Sequence, residues 1–262
     1  MLRIDLNCDL GEGVGSDEQI LPLVTSANIA CGFHAGGPAV MRRTVDAALK
    51  ADVAIGAHPG FADFAGFGRR NVDVSPEDAF ELVLYQIGAL TGFVTAAGGR
   101  LAHVKPHGAL YNMAAEDAAL ADAIARAVKA ADPALILFGL PKSELVKAGA
   151  RAGIPTAREA FADRTYQRHG TLTPRSEANA LITDVQQAAA QAVRIATEGK
   201  VRTSDGTDIE IQADTICLHG DGVHAVELAS EIRRCLLAAG VTVEPVPTSG
   251  PGTARTETAP RR

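Results

Sequence analysis

The chain has 262 residues, 47 % hydrophobic and 21 % charged, with a net charge of −6; it suits one large α/β domain or two small ones, with a core that needs no disulfide or metal staples. This charge gives no electrostatic case for nucleic acid or an anionic membrane as partner, and no run approaches the ~18 apolar residues of a membrane span. The opening Met1-Leu2-Arg3-Ile4-Asp5 reads as a charged strand rather than a secretory leader, and Cys8, Cys31, Cys217 and Cys235 lack zinc or redox spacing, so a cytoplasmic protein with reduced, mostly buried cysteines is expected.

Along the chain, short β-type runs alternate with long Ala-rich helical stretches. A strand over 2–7 is followed by one over 26–31, a helix over 38–51 and a strand over 54–57. A helix over 76–97 opens on Ser75-Pro76-Glu77-Asp78, an N-cap serine, an N1 proline and acids in the first turn, and stops at Gly98-Gly99. Next come a strand over 100–105, a helix over 117–131, a strand over 134–138, a helix over 143–152 closed by Gly153 and a strand over 155–158. A helix over 182–198, a strand over 215–219 and a helix over 225–239 complete the series. The Arg-rich, polar stretch 159–183 reads as a loop over one mouth of the fold, and 203–208 as a turn within a small hairpin.

Alternating β and α elements imply a parallel sheet with right-handed crossovers. Chemistry-bearing residues follow nearly every strand, whereas a doubly wound sheet gathers its site at one switch point. The predicted fold is therefore a distorted (β/α)7 barrel over residues 1–245, with a disordered Pro/Thr/Gly/Arg-rich tail over 246–262.

The strand ends carry His34, His58, His107 and His219, while the first run ends in acid at Asp9. Because alternate strand residues share a face, Asp5, Asn7 and Asp9 stack on one side, as do His103, Lys105 and His107, and Cys217, His219 and Asp221. Barrel interiors normally take Val, Ile and Leu at such positions, and buried charges must pair. Asp9 and Glu12 together could supply a general base and an anchor for metal or substrate. The glycine-rich turn Gly11-Glu12-Gly13-Val14-Gly15-Ser16 lacks nucleotide-loop spacing and reads as a flexible active-site loop. Arg69 and Arg70 suit a carboxylate or phosphate. Asp163 could serve as general base, with Arg164 orienting it or clamping a carboxylate, and Lys105 with His107 could stabilise an oxyanion and move protons. Asp9, His34 and His58 could also meet around a metal, although spacing alone does not establish it.

These motifs together resemble the LamB/YcsF family. The matching segments are Asp5-Leu6-Asn7-Cys8-Asp9-Leu10-Gly11-Glu12, Asn28 through Gly36, Gly56-Ala57-His58-Pro59-Gly60, Gly66-Phe67-Gly68-Arg69-Arg70, Val104 through Asn112, Glu159 through Arg164, and His219-Gly220-Asp221. The resemblance implies a barrel related to the glycoside hydrolase/deacetylase barrels. It also implies cleavage of 5-oxo-L-proline (pyroglutamate) to L-glutamate with ATP as cosubstrate. ATP would be handled largely by partner subunits B and C of a 5-oxoprolinase, which phosphorylate the lactam. Gly37, where the family pattern leads to an aspartate, and His169, near an expected acid, depart from it, and Gly37 is left out of the site.

The expected catalytic set is Asp9, Glu12, His58, Lys105, His107 and Asp163. The expected substrate-binding set is Asn7, His34, Arg69, Arg70, Arg164, His219 and Asp221. A divalent metal and a homo-oligomer are both compatible with the sequence. Two other readings are a metal-dependent amide or sugar deacetylase and a non-catalytic subunit that binds 5-oxoproline as a scaffold.

Overall fold

In the computed structural model, which describes residues 2–222 and 224–247, the strands are β1 (Arg3–Leu10), β2 (Ser26–Ala30), β3 (Ala54–His58), β4 (Leu101–Val104), β5 (Ile136–Gly139), β6 (Thr156–Phe161), β7 (Lys200–Arg202), β8 (Asp208–Glu210), β9 (Thr215–His219) and β10 (Thr242–Val243). Strands β1 to β6 and β9 pair in parallel, and β9 returns to β1, closing a seven-stranded barrel. Register slips once between β3 and β4, at Ile55/Gly56. Strand β10 adds to the outer start of β1, and β7 and β8 form an antiparallel hairpin around the expected turn. The predicted tail starts within the described residues, where Val246 packs on Ile136, Phe138 and Ala157; its remainder, 248–262, lies outside them.

The helices are α1 (Asp17–Ile20), α2 (Pro38–Lys50), α3 (Pro76–Ala96), α4 (Gly108–Glu116), α5 (Ala118–Ala131), α6 (Glu144–Ala152), α7 (Val185–Glu198) and α8 (Ala225–Ala238). Their ends follow the expected chemistry. Ser75 accepts from Asp78 N–H at the start of α3, Ser143 does the same for Val146 at α6, and Gly153 ends α6 in the left-handed conformation. By length and composition alone α3 could cross a membrane, with 21 residues and a mean hydropathy of 1.4 over an 18-residue window. Its Ala79, Val83, Ile87, Leu90 and Val94 are nevertheless buried at helical spacing, as in a helix packed on a barrel.

Alternation along β1 separates two environments. Ile4, Leu6, Cys8 and Leu10 belong to the apolar layer shared with the helices, while Asp5, Asn7 and Asp9 enter a buried polar network. Asp5 accepts from the hydroxyls of Thr25, Ser26 and Thr215. Asn7 donates to Thr215 Oγ1 and accepts from Asn28 Nδ2, and Asn28 Oδ1 lies 2.7 Å from His103 Nε2. Asp5, Asn7, Asn28 and His103 each gain a partner through this network, so the barrel tolerates an interior that is not aliphatic there.

Two strands run three residues further than predicted. Strand β1 continues to Leu10, placing Asp9 within the strand, and β6 continues to Phe161, placing Glu159 inside the barrel rather than in the loop. The stretch beyond β6 is tied down by bridges between Arg164 and Leu181 and between Tyr166 and Leu172.

Candidate active site

Lys105 lies just past β4, where it meets groups from three other strands. Its Nζ is 2.8 Å from Asp9 Oδ1 on β1, 3.0 Å from Glu159 Oε1 on β6 and 2.9 Å from Cys217 Sγ on β9. All four residues are buried. Burial opposes charge on Lys105, but the Asp9 carboxylate leads the neighbours that hold the ammonium well above its ordinary range. Burial likewise works to raise Asp9, and His58 and Lys105 outweigh it, keeping the carboxyl well below the usual range. Asn28 Nδ2 donates to Asp9 Oδ1 at 2.8 Å, and His58 Nε2 lies 3.3 Å from its Oδ2. The Cys217 thiol is pushed well up, chiefly by burial.

Beside this pair, Glu12, His34, His58 and His107 each put one ligand atom within 4.8 Å of the others, a donor set that could hold a metal. The His34 and His107 rings stack at 3.8 Å, 2° from parallel. Burial pushes His34 down to about 3 and lowers His107, while burial, with Asp9 and Asp221 adding to it, pushes Glu12 up to about 9. The loop ending in Gly68 closes against these rings. A Cβ there would lie 2.7 Å from His34 Cβ and 2.9 Å from His107 Cδ2, and the backbone has φ +63°, so both space and conformation require glycine.

Above the floor is a cavity of about 570 Å³, lined among others by Asp9, His58, Lys105, His107, Arg69, Arg164, Arg175, Phe161 and His219. His219 Nδ1 is 2.9 Å from Asp163 Oδ2, and its backbone N–H donates to the same oxygen at 3.1 Å. A carboxylate only accepts, so Nδ1 carries a proton, and in the neutral ring Nε2 is the nitrogen with the free lone pair. Burial works to raise Asp163, but the His219 ring and its hydrogen bonds leave the carboxyl below its ordinary value. Arg69 pairs with Asp221 at the cavity's edge.

The structure thus brings Asp9, His58, Lys105, His107, Arg69, Arg164 and His219 to one cavity. Asp163 and Asp221 line an adjoining, mainly apolar recess with Leu181, Ile182 and Leu228. Glu12 and His34 are buried against His107. Asn7 belongs to the interior network below. Arg70 is not brought to the cavity: its guanidinium pairs with Asp63 and is largely exposed. Arg164 does not orient Asp163; it donates to the carbonyls of Ala180 and Thr173. Of the two departures, Gly37 stands at the N-cap of α2 and His169 is exposed.

Sequence reasoning missed Glu159, Asn28 and Arg175. Extending every-second-residue reading past Arg158 would have found Glu159, which shares a face of β6 with Phe161. Asn28 sits at the same kind of position on β2. Arg175 lies in the long connection after β6, where no period marks it.

The LamB/YcsF family profile matches residues 4–250. The chain is 59 % identical to the 5-oxoprolinase A subunit of Brevibacillus brevis, over 93 % of this chain and 98 % of that protein. It is similar to the lactam utilization protein of Thermus thermophilus, known from a crystal structure, with TM-score 0.87 and 48 % identity over 93 % of this chain and 99 % of that one. A peptidoglycan N-acetylglucosamine deacetylase catalytic domain from Eubacterium rectale shares the barrel fold alone, with TM-score 0.53 and 10 % identity over 95 % of this chain and 90 % of that one.

Proposed function

This chain belongs to the LamB/YcsF family, and we propose that it acts as the A subunit of a 5-oxoprolinase, in the hydrolytic opening of 5-oxo-L-proline to L-glutamate. The observation that carries this reading is the Lys105 ammonium, held between Asp9 and Glu159 at the floor of a cavity that also receives His219. A cation fixed there can stabilise negative charge that develops on a substrate oxygen.

A five-membered lactam is resonance-stabilised and resists water at neutral pH, which is why ATP is needed. Phosphate transfer to the lactam oxygen makes the ring carbon electrophilic. Water then adds to that carbon, the C–N bond breaks, and the nitrogen leaves with a proton. The resulting acyl phosphate loses phosphate to a second water, giving glutamate. In this scheme Lys105 and Arg69 hold the phosphate or the developing oxyanion. His219, oriented by Asp163, takes the proton from water through Nε2 and passes it to the departing nitrogen. The reading assigns lactam phosphorylation to partner subunits B and C. In its support, the Gly11 amide of the glycine-rich turn is already donated to Asp17, which leaves a carboxylate where a phosphate would bind. Free cysteines at 8, 31, 217 and 235 support a cytoplasmic location.

The test measures glutamate released from 5-oxoproline and ATP by the chain alone, by the partners alone and by all three. Release requiring all three is expected. Full release by the partners alone would remove the catalytic assignment, and ATP-independent release by the chain alone would remove the coupling.

A further inference from the structure

Hydrogen bonds in the histidine cluster turn two ring nitrogens toward each other. His58 Nδ1 is 2.7 Å from the Lys105 carbonyl oxygen. A carbonyl only accepts, so this nitrogen carries a proton, and in the neutral ring Nε2 keeps its lone pair. His107 Nε2 is 2.8 Å from the Phe67 carbonyl, which by the same logic leaves its Nδ1 bare. These two bare nitrogens face each other at 2.9 Å. Lone pairs so close repel unless something positive lies against both.

Two further groups point to the same place. His34 is fully buried, and neither of its nitrogens has a hydrogen-bond partner among the described residues. Glu12 Oε1, also buried and without such a partner, is 3.6 Å from His34 Nε2 and 3.6 Å from His107 Nδ1. A backbone carbonyl on the far ring nitrogen, as at His58 and His107, is the arrangement that orients metal-binding imidazoles. The second donor group, Asp9, Cys217 and His219, differs because the Lys105 ammonium already contacts Asp9 and Cys217.

We propose that Glu12, His34, His58 and His107 form a binding site for one divalent transition-metal ion. Three imidazoles and a carboxylate favour zinc or a similar ion over magnesium or calcium, which prefer oxygen-only shells. Ligand atoms about 2.0–2.1 Å from a tetrahedral ion stand roughly 3.3–3.4 Å apart. The separations of 2.9, 3.6 and 3.6 Å bracket that spacing, so small side-chain shifts suffice. The proposal concerns this chain's affinity for an ion and does not depend on the substrate.

The experiment strips the purified full-length chain of metal and titrates it with Co²⁺, following visible absorption, then displaces Co²⁺ with Zn²⁺. One equivalent should bind, with the spectrum of a low-coordinate nitrogen-rich site, and the melting temperature should rise with ion concentration. Glu12→Gln and His34→Gln should each weaken binding by more than the ~10–100-fold typical of losing an outer-shell partner. No stoichiometric binding by the wild-type chain overturns the proposal whether or not the variants fold, and so does undiminished binding by a folded Glu12→Gln variant. In the first case a proton shared between His58 and His107 satisfies the facing nitrogens instead, and in the second the ion binds elsewhere or without Glu12.

Discussion

Lys105 and Glu159 form a 3.0 Å ion pair inside the barrel, both almost wholly removed from solvent. Asp9 meets the same ammonium at 2.8 Å, so Lys105 serves two buried carboxyl groups at once. Lys105→Met should destabilise the fold by roughly 3–5 kcal/mol, the usual cost of stranding buried charge. It should also cut glutamate release by at least about 100-fold. The double variant Lys105→Met/Glu159→Gln separates the two effects. Chemical denaturation should show much of the stability recovered, and assays should show none of the turnover recovered. Turnover restored in the double variant would reduce Lys105 to a structural role.

Asp163 and His219 offer a second separation. The Asp163 carboxylate receives both Nδ1–H and the backbone N–H of His219, so it fixes the tautomer that leaves Nε2 available. Asp163→Asn should lower kcat by roughly 100–10,000-fold, the range expected for a mispositioned general base, with a much smaller change in KM. Steady-state kinetics of the assembled three-subunit system would reveal it. A change confined to KM would assign the pair to substrate binding alone.

The sequence made the barrel legible because its β runs are short, apolar on one face and separated by well-capped helices. Ser75, Ser143 and Gly153 mark boundaries through local hydrogen bonding or backbone conformation. Helix α4 was missed because it opens at His107, whose side chain makes no capping bond. The histidines and Asp9 could be gathered from period-two reading alone, since parallel strands deliver their ends to one rim. Partner choice was not legible. Arg70 belongs to Asp63, and Asp163 belongs to His219, 56 positions away. Such pairings depend on how loops fold back over the rim, which no local pattern encodes.

Gly56 gives a steric prediction. A Cβ at this position would lie 2.0 Å from His103 Nε2, in a ring that stacks on Phe138 at 4.3 Å and reaches Asn28. Gly56→Ala should therefore cost about 1–3 kcal/mol in overpacking, plus a further ~1–3 kcal/mol if the His103 hydrogen bond is lost. Urea unfolding would measure the sum. Adding His103→Ala should cost less than the two single changes summed, because both act on one contact. Strict additivity would show that the ring does not occupy that space.

Asp5 gives the fold a pH dependence with a defined sign. Burial raises its carboxyl from 3.8 to about 6, although hydrogen bonds from Thr215, Thr25 and Ser26 pull the other way. The folded state therefore holds this proton more tightly than the unfolded chain does. Its contribution to stability is complete below the unfolded pKa of ~3.9 and is lost as pH rises through the folded value. Relative to about pH 8, wild-type stability at about pH 5 should gain roughly 1–1.5 kcal/mol from this group by linkage. Other carboxyl groups titrate in the same window, so the wild-type slope alone does not isolate Asp5. Asp5→Asn removes this titration while keeping the side chain's size, and the three hydroxyls can rotate to meet the amide. The stability difference between wild type and variant, taken from urea unfolding at the two pH values, should therefore move toward the wild type on acidification by that amount. An unchanged difference would mean that Asp5 is already ionised in the folded protein near pH 5, with its three hydroxyl donors outweighing burial.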